Sequence, residues 1–342
     1  MKAVQIIRAG EVRLVEVRKP VPEAGEVLIK IRYVGFCGSD LNTYLGRNPM
    51  VQLPVIPGHE IGAVIEAVGE NTPGHLKAGM SCTVNPYTAC GDCSSCRNGR
   101  PNACRYNRTL GVQRDGAMCE YLAVPWEKVI ADEHIPCRDF CLVEPMSVGF
   151  HAVSRAAVTD SDTVMVIGCG MIGAGAVVRS ALRGAKTIAV DMDDDKLALA
   201  KQLGATYVIN SQKEDVHERL QLLTNGFGPD VVVEAVGAPA TYRMAVDEVA
   251  FTGRIAYIGY AKTETAFDTK WFVQKELDIR GSRNALPADF RAVMEYLKRG
   301  NCPVEKLVTG IYPPTEAQTA LDAWKASPAK VFRILISFET TA

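Results

Sequence analysis

The chain has 342 residues, of which 47% are hydrophobic and 23% are charged. These values are ordinary for a globular protein and exclude a largely disordered chain, and the length allows two domains. Lysine and arginine number 38 and aspartate and glutamate 39, so the formal net charge is −1. Because no basic block occurs, neither nucleic acid nor an anionic membrane is the expected partner, and a small neutral or anionic molecule is favoured.

The first seventeen residues, MKAVQIIRAGEVRLVEV, alternate apolar and polar side chains as a strand does. Arg8, Glu11 and Arg13 interrupt the stretch where a signal peptide needs a continuous apolar core, so we expect a cytoplasmic protein. The chain also has 11 cysteines. In a reducing compartment, cysteines serve as metal ligands or reduced core thiols more often than as disulfides.

Residues 1–148 are predicted to form a β-rich domain. Apolar runs at residues 27–36, 59–69 and 117–125 are separated by glycine, proline and polar turns, which is typical of strands joined by long loops.

Three motifs of this domain carry side chains that can bind a metal. VGFCGSD contains Cys37 and Ser39, PGHE contains His59 and Glu60, and LVEPMSVG contains Glu144. A thiolate, an imidazole and a carboxylate can hold zinc and leave a fourth position open, which is the layout of a catalytic site. Each residue also has a structural explanation, as a core thiol, a turn histidine or a charge at a helix N-terminus. Spacing alone does not decide between these roles.

A cluster of four cysteines, Cys90, Cys93, Cys96 and Cys104, lies in ACGDCSSCRNGRPNAC. Four thiolates suit one tetrahedral zinc, and the glycine, asparagine and proline residues between them supply the turns. A site whose four ligands all come from the protein is closed, so it would hold the lobe of about residues 88–106 in place. The alternatives are an iron–sulfur centre, a zinc ribbon that binds nucleic acid, and accidental clustering.

From about residue 149, strand-like and helix-like segments alternate. The strand-like runs are VMVIG, TIAVD, YVIN, DVVVEAVG, RIAYIG and LDIRGS, with Ala/Leu-rich amphipathic segments between the first five. This alternation predicts an open parallel sheet with helices on both faces over residues 149–284.

The first two of these strands are joined through the glycine-rich sequence GCGMIG. Gly168 allows a tight turn, Gly170 lets the backbone approach a pyrophosphate, and Gly173 lets the helix pack closely on the strand. Asp191 ends the next strand, where its carboxylate can accept hydrogen bonds from an adenosine ribose. We therefore predict a dinucleotide site. A glycine-rich packing site is the structural alternative, and the stretch is too short and too rich in glycine to span a bilayer.

Residues 285–342 are expected to return to the first domain. A helix is predicted over residues 288–300 and another near residues 315–326, followed by the apolar strand KVFRILISF at residues 330–338.

Over essentially its whole length the chain resembles the zinc-containing medium-chain dehydrogenases. GFCGSD, PGHE, the four-cysteine lobe, GAMCEYLAVP, EPMSVG and GCGMIG occur in the family's order. Within that family the chain is most similar to the sorbitol, L-idonate and sugar-acid 5-dehydrogenases, because GSRNALPADF at residues 281–290 matches a run of the sugar-acid members. The resemblance implies an α/β fold, in which a Rossmann doubly wound parallel sheet is joined to a β-rich GroES-like catalytic domain.

The resemblance also implies roles for single residues. Cys37 and His59 would bind the catalytic zinc, Ser39 would be the first proton acceptor, and Arg283 would approach the substrate. The third zinc ligand is Glu60 or Glu144, since related polyol enzymes can use the glutamate after the PGH histidine while the equivalent of Glu144 holds a water at the metal. The candidate cofactor-binding residues are Gly168, Gly170, Met171, Ile172, Gly173, Asp191 and Asn284.

One position departs from the family pattern. Polyol and alcohol members often have a histidine three residues after the serine or threonine, and this chain has Asn42 there. Asparagine cannot take up a proton at neutral pH, so a water or another side chain would have to carry the proton from Ser39 to solvent.

The implied activity is an NAD-dependent oxidation with two zinc ions per chain, one catalytic and one structural. The predicted substrate is a secondary alcohol of a sugar acid, such as L-gulonate, L-idonate or L-galactonate oxidised at C5, and hydride would pass to nicotinamide between the two domains. A neutral polyol of the sorbitol type is the alternative substrate. A zinc-lobed nucleic-acid-binding protein and a zinc-free reductase of the same fold are the other hypotheses. The family suggests a homodimer or homotetramer.

Overall fold

A computed structural model describes residues 1–339. The chain divides into two compact units, which we call unit 1 and unit 2. Unit 1 consists of Met1–Pro145 and the chain from Val293 onward, and unit 2 of Met146–Ala292. The domain boundaries expected at residues 148/149 and 284/285 stay predictions.

Residues 1–339 form fifteen strands and eleven α-helices. The strands are β1 (Lys2–Arg8), β2 (Glu11–Glu16), β3 (Glu26–Gly35), β4 (Glu60–Val68), β5 (Ser81–Val84), β6 (Tyr121–Pro125), β7 (Val129–Ala131), β8 (Thr163–Ile167), β9 (Lys186–Asp191), β10 (Tyr207–Asn210), β11 (Val231–Glu234), β12 (Arg254–Tyr257), β13 (Asp278–Gly281), β14 (Val308–Tyr312) and β15 (Arg333–Ser337).

The helices are α1 (Gly38–Tyr44), α2 (Ser94–Arg97), α3 (Val143–Arg155), α4 (Met171–Leu182), α5 (Asp194–Gln202), α6 (Val216–Leu223), α7 (Pro239–Glu248), α8 (Lys270–Gln274), α9 (Pro287–Lys298), α10 (Val304–Leu307) and α11 (Ala317–Ala326). Short 3₁₀ turns lie at Pro101–Ala103, Trp126–Lys128, Cys137–Leu142, Pro314–Glu316 and Pro328–Lys330. Within the described range, every helix falls short of the length and apolar content that a membrane crossing requires.

Unit 1 is built on a seven-stranded sheet. Six strands follow the order β14-β15-β3-β4-β5-β7, and β6 pairs with β3. Strand β3 is antiparallel to β4 and to β15. Its apolar side chains, among them Ile29 and Ile31, are fully buried in the core of the unit. The last strand of the described chain therefore completes the sheet beside β3.

The register of β3 and β4 fixes the neighbourhood of two predicted site motifs. Gly35 at the end of β3 lies opposite Glu60 at the start of β4. Residues that follow β3 are therefore brought next to residues that precede β4, although they are far apart in sequence.

Unit 2 contains a six-stranded, all-parallel sheet with the order β10-β9-β8-β11-β12-β13. Val164, Met165 and Val166 of β8 are fully buried, as expected for a parallel strand covered on both faces. In the sheet, β9 and β10 lie on one side of β8, and β11, β12 and β13 lie on the other side. The switch point between β8 and β11 is where open α/β sheets bind ligands.

The glycine-rich turn after β8 has the predicted conformation. Gly168 has φ +89°, a left-handed conformation that side chains with a Cβ rarely adopt. Gly173 lies against Gly168, and a methyl group there would overlap the Gly168 carbonyl oxygen. The two glycines thus fix the passage from β8 into α4.

Most predicted elements agree with these bounds, but several predicted strands are shorter. The run DVVVEAVG contains only β11, and KVFRILISF contains only β15. The strand-like first seventeen residues form two strands, β1 and β2. Residues 117–125 were expected to be extended throughout, but β6 begins only at Tyr121. The amides of Ala117 and Met118 donate instead to the carbonyls of Gly58 and Pro57, at 2.9 and 3.0 Å. Because of these hydrogen bonds, Ala117 and Met118 do not pair with β3, and the pairing of β6 with β3 begins at Tyr121.

We predict that Gly173→Ala destabilises unit 2, because the added methyl overlaps the Gly168 carbonyl. Overpacking of this kind costs about 1–3 kcal/mol, which thermal unfolding followed by circular dichroism can measure. Gly170→Ala is the matched control, because a Cβ there meets no atom within 4 Å and φ is −67°. Equal losses of stability in the two variants would contradict this packing.

Candidate functional site

The four cysteines of the lobe in unit 1 converge on one point. The sulfur of Cys93 lies 3.5 Å from that of Cys96 and 3.7 Å from that of Cys104, and the sulfurs of Cys90 and Cys96 are 4.0 Å apart. Tetrahedral zinc with Zn–S bonds of about 2.3 Å places its sulfurs about 3.8 Å from one another. The four side chains therefore fit a closed zinc site.

Backbone amides support the thiolates of this lobe. Cys93 N donates to Cys90 Sγ at 3.3 Å, and Cys90 N donates to Cys104 Sγ at 3.4 Å. A hydrogen bond with the Ser95 hydroxyl, followed by backbone hydrogen bonds, lowers the pKa of Cys93 to about 5. Since the thiolate is the form that binds a metal, Cys93 is prepared for zinc, whereas burial raises the pKa of Cys96 to about 11.

A second group of metal-binding side chains lies where β3 and β4 meet. Cys37 immediately precedes α1, and its amide donates to Asp40 Oδ2 at 2.8 Å, which fixes the start of that helix. His59 immediately precedes β4, and Glu60 is the first residue of that strand. The ligand atoms of Cys37, His59 and Glu60 all lie within 4.8 Å of one another. The structure thus brings GFCGSD and PGHE together.

Cys37 and His59 each affect the protonation of the other. Burial acts to raise the pKa of Cys37, but the hydrogen bond and charge of His59 outweigh it and lower that pKa. Burial acts to lower the pKa of His59, but the hydrogen bond and charge of Cys37 raise it well above its ordinary value. The pair therefore favours the thiolate form of Cys37.

Glu60 is the third member of the group and is fully buried. Burial raises the pKa of its carboxyl group well above the ordinary value, while the charge of Arg333 acts in the opposite direction. Arg333 Nη1 lies 3.0 Å from Glu60 Oε1, and the same nitrogen donates to the Phe36 carbonyl. Arg333 belongs to β15, so the C-terminal strand supplies the cation beside this carboxylate.

Several buried polar atoms of this group lack a hydrogen-bond partner within residues 1–339. They are Ser39 Oγ, His59 Nδ1 and both carboxylate oxygens of Glu60. Buried polar atoms without hydrogen bonds are costly, and the Glu60 carboxylate, whose recorded ionic partner is Arg333, can also offer an oxygen to a metal cation beside the thiol. The donor set of sulfur, nitrogen and oxygen fits zinc with an open position, so the residues present fit the predicted metal.

Glu144 lies outside the group of ligand atoms. It occupies the first turn of α3, and it accepts a hydrogen bond from the hydroxyl of Tyr87. Its charge acts to raise the pKa values of His59 and Glu60. Of the two carboxylates predicted as the third ligand, Glu60 is the one with an oxygen among the converging donor atoms. The ligand assignment itself stays a prediction.

Ser39 and Asn42 lie on α1. The Asn42 side chain donates to the Gly38 carbonyl at 2.9 Å, so its amide is bonded to the helix backbone. The buried hydroxyl of Ser39 therefore has no histidine one turn further along the helix, as the sequence indicated.

The predicted dinucleotide residues of unit 2 lie at one edge of its sheet. Gly170 precedes α4, and Met171 and Ile172 form its first turn. Asp191 Oδ2 accepts a hydrogen bond from Cys169 N at 2.7 Å, and its Oδ1 accepts from Met192 N at 2.7 Å. The carboxylate is thereby held beside the glycine-rich turn, as binding of a ribose there requires.

Arg283 and Asn284 follow β13 in unit 2. Arg283 is half-buried, and Asn284 has φ +54°. The segment is anchored by Asp289, whose Oδ2 accepts from Leu286 N at 3.0 Å and lies 2.8 Å from His151 Nδ1. This segment thus carries Arg283 on a fixed backbone.

Two residues beside the candidate metal site escaped the sequence analysis. Arg333 is a buried arginine within the apolar run KVFRILISF, and a charge in such a run is a signal that could have indicated a buried partner. Tyr87 lies three residues before Cys90, and nothing in its local sequence marks its contact with Glu144.

Two protein families match the chain. The alcohol dehydrogenase GroES-like domain matches residues 23–135, and the zinc-binding dehydrogenase domain matches residues 172–299.

Individual relatives agree with these matches. A sorbitol dehydrogenase from Halalkalibacterium halodurans is 32% identical, with 94% of each chain covered. The L-galactonate-5-dehydrogenase of Escherichia coli K12 is 32% identical, with 86% of each chain covered. The structure of the RspB alcohol dehydrogenase from Escherichia coli CFT073, complexed with cofactor NADH, is 29% identical and covers 99% of both chains with a TM-score of 0.90.

The chain therefore belongs to the zinc-type alcohol dehydrogenase family, among the zinc-dependent polyol and sugar dehydrogenases, and is an oxidoreductase. The resemblance inferred from the motifs is confirmed. The α/β fold with a Rossmann sheet and a GroES-like domain is confirmed as well.

We predict that metal analysis of the purified protein gives two zinc ions per chain. Cys37→Ala should lose one zinc and all turnover while the melting temperature stays close to wild type. Cys93→Ala should also lose one zinc but melt at a clearly lower temperature, because a closed zinc site contributes directly to folding. One zinc in the wild type, or the visible absorbance of an iron–sulfur centre, would show that the assignment is wrong.

Proposed function

We propose that the chain oxidises a secondary alcohol of a sugar acid, such as L-gulonate, L-idonate or L-galactonate at C5, with NAD as hydride acceptor. The observation that carries the proposal is the buried convergence of Cys37, His59 and Glu60. A bound zinc would lower the pKa of the substrate alcohol.

Each residue of the site has a separate role in the proposed reaction. Cys37, His59 and Glu60 hold the metal, and the Cys37 thiolate and Glu60 carboxylate together balance its charge. Ser39 offers a buried hydroxyl to receive the proton of the alcohol. Glu144, fixed by Tyr87, provides a second carboxylate that can hold a water near the metal. The four-cysteine lobe holds a second zinc and takes no part in the chemistry.

The cofactor preference is proposed from the surroundings of Asp191. A carboxylate in this position can accept both ribose hydroxyls, and it would repel the 2′-phosphate of NADP. Asp193, Asp194 and Asp195 follow directly, and Lys213 pairs with Asp194. The local charge therefore favours NAD. The RspB relative, complexed with NADH, supports this choice.

We predict that kcat/KM is about a hundredfold higher with NAD than with NADP, because contacts between like charges cost several kcal/mol. Asp191→Ala should narrow that ratio by lowering activity with NAD and relieving the repulsion of NADP. Asp195→Ala, at an exposed site four residues further on, is the control and should keep the wild-type ratio. Comparable constants for both cofactors in the wild type would contradict the assignment.

The substrate proposal depends on Arg283 of unit 2. A guanidinium pairs with a carboxylate through two parallel hydrogen bonds, which a neutral hydroxyl cannot reproduce. The L-galactonate-5-dehydrogenase relative supports a sugar acid, and the sorbitol dehydrogenase relative supports the alternative, a neutral polyol. The arginine is the feature that favours the acid.

We predict that a panel of hexonates and hexitols, assayed with NAD, shows higher kcat/KM for a hexonate. Arg283→Met should lower that constant by about tenfold to a hundredfold, the loss expected for hydrogen bonds to a charged group, and leave hexitol oxidation nearly unchanged. Arg291→Met, an exposed arginine on α9, is the matched control. Efficient oxidation of hexitols with no activity on any hexonate would favour the polyol alternative.

The assembly of the chain into a homodimer or homotetramer stays a prediction.

A further inference from the structure

Residues 282–286 join β13 to α9 and carry Arg283, and we call them the β13–α9 loop. Immediately before this loop, the end of β13 is bound to the end of α3. Arg280 Nη1 donates to the Arg155 carbonyl at 2.7 Å, and Arg155 Nε donates to the Gly281 carbonyl at 3.3 Å. The chain therefore enters the loop at a position that α3 fixes.

After the loop, the start of α9 is bound to the same helix through a buried pair. His151 Nδ1 of α3 lies 2.8 Å from Asp289 Oδ2, and both residues are more than nine-tenths buried. His151 precedes Arg155 by one helical turn, so the two residues lie on one face of α3. One face of one helix thus holds the chain on both sides of the β13–α9 loop.

Asp289 connects His151 to the backbone of the loop. The same Oδ2 atom accepts a hydrogen bond from the last amide of the loop, Leu286 N, at 3.0 Å. A carboxylate in the first turn of a helix can bind the amide before that helix without any other group. Here the buried imidazole in addition binds that carboxylate to α3. An ionised carboxylate only accepts hydrogen bonds, so Nδ1 of His151 is the donor.

The loop between these two attachments is held along its backbone as well. Ser282 N donates to the Tyr257 carbonyl at 2.8 Å, Ala285 is buried, and Asn284 has φ +54°. Paired hydrogen bonds between a guanidinium and a carboxylate have a strict geometry, so the residues behind such a side chain must hold it to about 0.5 Å. The placement of Arg283 therefore depends on the contacts at both ends of the loop.

We infer that His151 is a positioning residue, which acts through Asp289 to place Arg283 for a carboxylate of the substrate. This inference rests on the proposed role of Arg283 in the oxidation of a sugar acid. His151 takes no part in the chemistry itself. Its effect is confined to substrates that carry a carboxylate, so it contributes to the preference for a hexonate over a hexitol.

The test compares kcat/KM for a hexonate and for a hexitol, with NAD and the zinc-loaded full chain. His151→Leu keeps a side chain of similar volume and removes the donor. It should lower the constant for the hexonate by about tenfold, mainly through KM, and leave the constant for the hexitol nearly unchanged. His151→Asn, whose amide can donate from about the position of Nδ1, should recover most of that loss. An equal loss for both substrates would show a merely structural histidine and overturns the inference.

The matched control is His217→Leu. His217 on α6 also belongs to unit 2 and pairs with a carboxylate, since its Nδ1 lies 2.9 Å from Glu248 Oε2, but it is exposed. This variant should keep the wild-type ratio of the two constants. If His151→Leu does not fold, Asp289→Asn carries the same expectation, because a neutral amide binds the imidazole more weakly than a carboxylate does.

A double-mutant cycle tests whether His151 acts through Arg283. In the Arg283→Met background, His151→Leu should cause no further loss of kcat/KM for the hexonate, because the group that it places is already absent. An additive loss in that background overturns the inference.

Hydrogen exchange separates this inference from the sugar-acid proposal, because it needs no substrate. Backbone amides of residues 282–286 should exchange faster in His151→Leu than in the wild type. Wild-type exchange in that variant, together with a loss of hexonate oxidation in Arg283→Met alone, overturns the inference and leaves the sugar-acid proposal standing. Faster exchange, with no effect of Arg283→Met on the hexonate, supports the positioning role of His151 and contradicts the sugar-acid proposal.

Discussion

An ionised carboxylate that is fully removed from water needs a positive charge beside it. In unit 1 this requirement links β4, which begins with Glu60, to β15, which carries Arg333. Glu60 has no solvent exposure, and Arg333, itself 4% exposed, lies beside it. Removing one partner of such a pair costs about 3–5 kcal/mol, because the other charge is then left alone in the interior. The same guanidinium binds the carbonyl of Phe36, the residue before Cys37. One arginine therefore holds the strand that ends at the thiolate and the strand that begins with the carboxylate.

The two predicted metal sites differ in how they relate to this interior. The four-cysteine lobe lies near the surface, with Cys90 exposed, and its sulfurs are already at the spacing of a closed tetrahedron. The group at Cys37, His59 and Glu60 is set into the core of the sheet and keeps unbonded polar atoms. Unbonded buried atoms destabilise the protein without a ligand, and they become favourable contacts once a cation is present. The lobe is thus arranged so that four cysteine sulfurs fill the coordination of a metal. The group at Cys37, His59 and Glu60 is arranged so that a further ligand can bind.

Much of the architecture was predictable because its signals are local. The glycine spacing at residues 168–173 dictates a turn by steric exclusion alone, and the alternation of strands and helices in unit 2 follows from periodicity. What depended on pairing between distant segments was not predictable. The register that places Gly35 opposite Glu60 brings a Glu60 oxygen among the converging donor atoms, and no spacing in the sequence encodes that register. Arg333 is near the end of the chain, and only the position of β15 beside β3 brings it to the site. The shortened strand β6 likewise reflects bonds to residues 57–58.

The placement of β15 has a consequence for how the protein is made. Unit 2 has its whole sequence once Ala292 has left the ribosome, whereas unit 1 still lacks the strand that carries Arg333. The about forty residues in between take roughly 2–8 s to synthesise. During that interval residues 33–35 of β3 lack the partner that β15 later provides, although β6 can already pair with residues 26–30, and Glu60 lacks the counter-charge of Arg333. Such an edge favours pairing with other chains, and a chaperone that shields it would act before translation ends.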